Sequence, residues 1–305
     1  MRIAIVGAGA LGLYYGALLQ RSGQEVCFLL RRDFDAISRH GVRVHSIQGD
    51  FTLPQVQCFR NSAEIGPVDL VIVGLKTFAN GSYGDLIGPL IDAGTQILTL
   101  QNGLGNEEAL AELYGRERIL GGVAFLCSNR GEPGTVHHLG AGRIVMGEFH
   151  ICDGKRLNRI AALFTNAGVE CQITDDLKRS RWEKLVWNIP FNGLCALLQQ
   201  PVNLLLAEPA CRTLVRELMR EVIAAGNAQQ LSVPIPDDFV ESMLEFTDNM
   251  GEYRPSMQID RAEGRQLEIT SIFRIPLEYG SNRGIPMPRV EMLATLLEQT
   301  SQLTA

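Results

Sequence analysis

Lys184, Asn188 and Asn192 stand four residues apart in the stretch RWEKLVWNIPFN. At 3.6 residues per turn each step drifts by only about 40°, so on a helix the three share one stripe. Chemically this is a cation that can give up a proton, followed by two neutral amides that both donate and accept hydrogen bonds. Trp182, Leu185, Val186 and Phe191 lie among them and predict burial close by. Pro190 sits between the asparagines and cannot donate to the Val186 carbonyl, so a bend is expected there. A polar stripe beside a bend suits a pocket wall. The same spacing also suits an exposed polar face, and spacing alone leaves both open.

A second set of residues opens the chain. In IAIVGAGALG, Gly7, Gly9 and Gly12 follow a short apolar run and begin an amphipathic stretch. Gly7 permits a tight turn, Gly9 has no side chain to block a pyrophosphate, and Gly12 lets helix and strand approach. The helix start then offers free N–H groups and a partial positive charge. With Ala8, Ala10 and Leu11 between them, these residues predict a dinucleotide-binding turn rather than a merely tight strand–helix connection. About 20 residues on, where an acid would bond a ribose 2′-hydroxyl, the chain reads Leu29-Leu30-Arg31-Arg32. An arginine fork suits a 2′-phosphate, so the expected cofactor is NADP(H). Asp33 follows and works against that preference, and Arg31 and Arg32 are also what the start of a solvated helix would show. Lys76, just past the apolar run Asp69–Leu75, is a second cation at the sheet edge where such ligands lie.

A substrate that accepts hydride needs its developing alkoxide protonated. All five histidines (40, 45, 137, 138 and 150) fall in the first half, and His137 and His138 read as structural or solvated. That directs attention back to Lys184 and its stripe.

The elements that must position these groups differ between the two halves. Up to about residue 172, β-branched runs at Arg2–Val6, Glu25–Leu30, Asp69–Leu75, Gln96–Leu100 and Arg118–Phe125 alternate with helical patterns near Ala10–Arg21, Gly84–Asp92 and Asn106–Tyr114. Such alternation predicts a parallel sheet covered on both faces. The runs Gly134–His138 and Arg143–Gly147, with glycines between them, read as an antiparallel hairpin. From about 173 onward the apolar spacing is three to four residues throughout, which predicts an all-helical half. The boundary falls in GVECQITDD, giving domains 1–172 and 173–305.

Bulk properties narrow the classes. A net charge of -6 with scattered Lys and Arg argues against an electrostatic grip on nucleic acid. No apolar stretch approaches the ~18 residues needed to span a membrane. A strand pattern beginning at Arg2 leaves no room for a signal peptide. Seven cysteines (27, 58, 127, 152, 171, 195 and 211) without CxxC spacing read as reduced thiols in a cytoplasm, with no metal site. Apolar stripes on the late helices leave a homodimer open.

The chain resembles ketopantoate reductases (2-dehydropantoate 2-reductases). The resemblance rests on GAGALG at 7–12, LK at 75–76, QNG at 101–103, W-x-K-x3-N-x3-N from Trp182 to Asn192, S-M-x2-D at 256–260, E-I at 268–269 and G-I-P-x-P at 284–288, and it runs nearly end to end. It implies a Rossmann α/β domain followed by an all-α domain of the 6-phosphogluconate dehydrogenase C-terminal type, with the active site in the cleft. It implies NADPH-dependent reduction of ketopantoate to (R)-pantoate, a step toward pantothenate and coenzyme A. By position it makes Lys184 the general acid and Glu268 its polar partner near the nicotinamide and the substrate hydroxyl. Asn188, Asn192 and Ser256 would bind substrate, and Asn102 would lie near both nicotinamide and substrate. Arg31 and Lys76 would hold the 2′-phosphate end, and the backbone of Ser128 would touch cofactor. An ammonium has an ordinary pKa of about 10.4. Desolvation would lower it toward the operating pH and an acid beside it would oppose that.

Departures from the family pattern fall after Glu268. Where Ile-Asp and then Asn-Gly are common, this chain has Ile269-Thr270 and Phe273-Arg274, with Pro276 close behind. They bear on the substrate side, and another small branched 2-keto acid is the alternative substrate. A non-catalytic NADP sensor is the alternative of another class, although it would need neither Lys184 nor Glu268.

Overall fold

A computed structural model describes residues 1–150 and 154–302, so Cys152 lies outside the described residues. The chain divides into two compact units: Met1–Gln101 with Asn106–Leu177, and Asn102–Gly105 with the chain from Lys178 onward.

The first unit holds ten strands among the described residues: β1 (Arg2–Val6), β2 (Glu25–Leu29), β3 (Val42–Ser46), β4 (Phe51–Leu53), β5 (Gln57–Phe59), β6 (Leu70–Val73), β7 (Gln96–Thr99), β8 (Ile119–Arg130), β9 (Thr135–Glu148) and β10 (Cys171–Ile173). Its helices are α1 (Ala10–Arg21), α2 (Phe34–His40), α3 (Ser62–Ile65), α4 (Tyr83–Ile87), α5 (Asn106–Tyr114) and α6 (Lys155–Asn166). One sheet runs in the order β4-β3-β9-β8-β7-β6-β1-β2-β5, with β10 also on β9. The stretch from β5 to β8 is parallel throughout. Its central strands are buried on both faces, which explains why β1 and β6 read as continuous apolar runs rather than alternating ones.

The expected hairpin within residues 134–147 is not there. Those two runs are one strand, β9, and the antiparallel hairpin is β8 with β9, closed at Gly131–Gly134. Gly140-Ala141-Gly142 looks like a turn because it is irregular. The ladder with β8 slips there twice, leaving Leu139 and Gly142 without cross-strand partners, and Ala141 and Gly142 take φ values of 56° and 120°. The expected helix Gly84–Asp92 is α4 followed by a 3-10 turn, Gly88–Leu90. His138 is buried: its Nδ1 meets the Tyr14 hydroxyl at 3.0 Å and Ser46 Oγ at 2.9 Å, and its Nε2 meets the Ala141 carbonyl at 3.0 Å.

The second unit is helical: α7 (Leu177–Leu198), α8 (Val202–Ala207), α9 (Pro209–Asn227), α10 (Phe239–Asp248), α11 (Ser256–Ala262), α12 (Ile275–Asn282) and α13 (Pro288–Gln302). A π-helical turn, Thr270–Arg274, leads into α12. The core gathers around α7, whose Trp182, Val186, Ile189 and Phe191 pack with Val215 and Met219 of α9, Met257 of α11, and Val290 of α13. Helix α7 continues through Pro190. Cys195 lies in this core, and burial pushes its thiol up to about 12, so it behaves as a small apolar group. Among the described residues no helix is long and apolar enough to cross a membrane.

Candidate active site

In the first unit the glycine turn divides by physical cause. Gly7 has φ +98°, and a Cβ there would lie 2.3 Å from the Leu75 backbone nitrogen. A Cβ on Gly12 would lie 2.3 Å from the Gly7 carbonyl oxygen. The protein itself demands both of these glycines. Gly9 is different: a Cβ there would meet nothing within 4 Å. It caps α1, whose first turn holds no acid and receives no side-chain cap. Open space beside uncapped N–H groups fits the pyrophosphate of a dinucleotide. Ala8, Ala10 and Leu11 lie in the same turn and are half-buried.

The other residues expected to hold cofactor lie in this unit as well, apart from Asn102 and Glu268. Arg31 and Arg32 are exposed in the turn between β2 and α2. Asp33, which the sequence left as a competing acid, is buried and ion-paired with Arg130. Lys76 is half-buried at the head of the 3-10 turn Thr77–Ser82. Behind that turn lies a polar network that apolar spacing does not reveal. The Gln101 carbonyl oxygen accepts from the Tyr83 hydroxyl at 2.6 Å and from Thr99 Oγ1 at 2.9 Å, while its amide donates to Asn80 at 2.9 Å. Asn80 in turn donates to Asn106 at 2.9 Å. Gln101 belongs to the quoted QNG stretch; its burial was the missing signal. Ser128 is half-buried on β8, where the ladder slips between Cys127 and Ser128.

In the second unit the stripe on α7 is not an exposed polar face. Asn188 is 4% exposed and Asn192 is 2% exposed, while Lys184 is half-buried. Asn192 is committed on one side: its carbonyl oxygen accepts the Met257 N–H at 3.1 Å and Ser256 Oγ at 3.4 Å. The reason lies in α11, whose preceding residue is Pro255 and offers no side-chain cap. Asn192 supplies that cap from 65 residues away. The structure thus joins two of the residues expected to bind substrate. Asn188 is the opposite case. Its amide nitrogen is buried and has no hydrogen-bond partner among the described residues. A buried donor left unpaired costs roughly 1–3 kcal/mol unless something outside the chain accepts from it.

Glu268 is 3% exposed, so it is a buried carboxylate rather than a solvated surface acid. Its carbonyl begins the following helix by accepting the Ile272 N–H at 3.2 Å. The loop Asn102–Gly105 docks on the same turn: the Leu104 N–H donates to the Ser271 carbonyl at 2.9 Å. Gly103, with φ +79°, comes so near that a Cβ would lie 2.3 Å from that carbonyl. The turn also touches α7, since Phe273 packs against Gly193, the residue after Asn192. The segments carrying Asn102, Glu268, Asn192 and Ser256 therefore meet in this unit.

The departures after Glu268 have local explanations. Phe273 is buried in the helical core. Arg274 reaches Glu298 on α13, Nε to Oε1 at 2.7 Å, and this pairing holds the Glu298 carboxyl below its usual range. Thr270 is exposed.

Comparison with known proteins agrees across the whole length. The ketopantoate reductase PanE/ApbA model matches residues 3–150 and its C-terminal counterpart matches 176–301. A 2-dehydropantoate 2-reductase of Nostoc sp. is 41% identical over 99% of this chain and 98% of its own. A crystal structure of 2-dehydropantoate 2-reductase from Geobacter metallireducens GS-15 is 71% identical, covers 98% of this chain and 100% of its own, and superposes with a TM-score of 0.98. A D-mandelate dehydrogenase solved with NADH and anilino(oxo)acetate shares the fold at a TM-score of 0.90 with 23% identity, over 100% of this chain and 99% of its own. A mostly parallel sheet with two antiparallel pairs, β3 with β4 and β8 with β9, followed by a helical unit and matched over both units, places this chain in the ketopantoate reductase family.

Proposed function

We propose that the protein reduces 2-dehydropantoate (ketopantoate) to (R)-pantoate with NADPH, a step toward pantothenate and coenzyme A, and that Lys184 is the general acid. The observation that carries this reading is the unpaired amide nitrogen of Asn188, buried on the Lys184 face of α7 in a chain of this family. Ketopantoate brings carboxylate, ketone and hydroxyl oxygens that can accept from such a donor.

In this reading Gly7, Ala8, Gly9, Ala10, Leu11 and Gly12 hold the pyrophosphate, Arg31 and Lys76 take the 2′-phosphate, and Ser128 and Asn102 line the remainder. When bound, the nicotinamide supplies a hydride to the C2 ketone. The Lys184 ammonium stabilises the negative charge growing on the ketone oxygen and then transfers its proton there. One hydride and one proton make the alcohol. Asn188, Asn192 and Ser256 hold the substrate oxygens without adding net charge. As the polar partner of Lys184 in this reading, Glu268 favours the protonated amine against the desolvation that would discharge it. The six described cysteines are free, in keeping with a cytoplasmic enzyme.

The test is NADPH oxidation with ketopantoate beside NADH and beside other branched 2-keto acids. The reading expects ketopantoate with NADPH to give the highest kcat/KM. Negligible turnover of ketopantoate next to good turnover of a relative would move the substrate. A preference for NADH, the cofactor in the D-mandelate dehydrogenase structure, would reject the role given to Arg31.

A further inference from the structure

Asp33 sits in the turn that presents Arg31 and Arg32 to solvent, yet it is only 3% exposed. It is ion-paired with Arg130 of β8. Its Oδ2 also receives the Gly134 N–H at 3.4 Å, and Arg32 Nε stands 3.9 Å from Oδ1. Arg130 ends β8 and Gly134 leads into β9, so the tip of that hairpin is fastened to the turn after β2. The neighbouring acid is occupied as well: Asp35 pairs with Arg60 at 2.9 Å, and Arg60 lies over the Phe34 ring. Both carboxylates of the segment are thus held by arginines from elsewhere in the chain. Arg31 and Arg32, by contrast, stay on the surface.

We propose that the Asp33–Arg130 pair is a positioning element for cofactor selection. Arg130 draws the Asp33 carboxylate into the fold and cancels its charge, so the turn meets a phosphomonoester with the positive charge of Arg31 uncompensated. This rests on the reading that Arg31 takes the 2′-phosphate. An acid just past the second strand is what a site selecting a ribose 2′-hydroxyl employs, and a free carboxylate there would repel a phosphate dianion. In a partly buried setting that repulsion is weakly screened, so cancelling it requires a partner of opposite charge rather than distance alone.

The experiment measures affinity for adenosine 2′,5′-bisphosphate and for adenosine 5′-monophosphate by calorimetry on the full chain, with thermal melting of the ligand-free protein alongside. These ligands differ only in the 2′-phosphate, so the ratio of their affinities isolates the effect. Arg130→Met is expected to lower that ratio about threefold and Asp33→Asn to raise it about threefold, as expected for unit charges near a surface. The neutral pair D33N/R130M should return to within about twofold of the parent, because removing both charges cancels both electrostatic changes. Both single variants moving the ratio the same way, or the double variant keeping the value of Arg130→Met, would overturn the proposal. If Arg130→Met does not fold, because it strands a buried carboxylate, Asp33→Asn decides, and an unchanged ratio overturns the proposal. An Arg31→Ala variant that keeps the parental ratio rejects the underlying role of Arg31, whatever Asp33 and Arg130 do.

Discussion

The two units prepare for ligand by opposite means. In the sheet unit the preparation is in the backbone: Gly9 leaves open space at an uncapped helix start, and its two companions are glycine because the protein leaves no room for a Cβ. In the helical unit it is in side chains: Asn192 is spent on capping α11, and Asn188 is left with an amide nitrogen unpaired. The first kind of site is specified by what is missing and tolerates little beyond glycine. The second is specified by what remains unsatisfied, with Asn192 committed to the scaffold and Asn188 left over for the proposed substrate.

Substitutions in the two units should have different signatures. The largest effect is expected from Lys184→Ala: kcat for ketopantoate should fall by about 10²–10⁴-fold. The NADPH dissociation constant should stay within about threefold, since the uncapped turn rather than the lysine holds the phosphates. Wild-type turnover from that variant would remove the mechanism. Next comes the glycine pair. Gly12→Ala drives a Cβ into the Gly7 carbonyl and should destabilise by about 1–3 kcal/mol, visible as a lower Tm. Gly9→Ala should melt with the parent, because an added Cβ meets nothing within 4 Å, and, if that space takes the pyrophosphate as proposed, weaken NADPH binding by roughly tenfold. If Gly9→Ala melts as early as Gly12→Ala, the division of labour within the turn is wrong.

The asparagines should separate in a similar way at smaller amplitude. Asn192→Ala removes the cap of α11 and is expected to cost about 0.5–2 kcal/mol of stability. Asn188→Leu removes an unsatisfied donor, so the ligand-free protein should melt no earlier than the parent while KM for the keto acid rises. A lower Tm with unchanged KM would make Asn188 purely structural.

The smallest effect belongs to the surface ion pairs of the helical unit. Glu298 and Glu241 are held below the ordinary carboxylate range, first by hydrogen bonds from Arg274 and Arg216. A depressed folded pKa means that the stabilisation is fully present above the unfolded value of about 4.3 and is lost as pH falls through the folded one. Glu298→Gln should therefore lower Tm slightly at pH 7, within the ~1 kcal/mol of an exposed pair, and the difference should shrink steadily as the pH falls below about 4. A difference that stayed constant on acidification would contradict this origin.

Much of this was legible in the sequence where structure is local. The helices Ala10–Arg21 and Asn106–Tyr114 and the strand Arg2–Val6 follow from apolar spacing and the glycine turn. The short strands β3, β4 and β5 did not stand out, since three to five residues give too little alternation to read. Residues 134–147 misled because glycines that absorb two bulges look like glycines that turn a chain. In the site, the four-residue spacing exposed the α7 stripe, but not which asparagine was committed to the protein. That depended on Pro255 failing to cap α11, and on a contact spanning 65 residues. Asp33 raised a doubt about the cofactor for the same reason: its partner Arg130 is 97 positions away.

The π-helical turn at Thr270–Arg274 closes with the Ile275 N–H on the Thr270 carbonyl, so it holds one residue more than an α-helical path would. In evolutionary terms it can be regarded as a single-residue insertion lodged beside Glu268. Excising one residue from it would regularise the helix and rotate Glu268 by about 100° relative to α12. Length variation here would therefore re-aim an acid without rebuilding the scaffold.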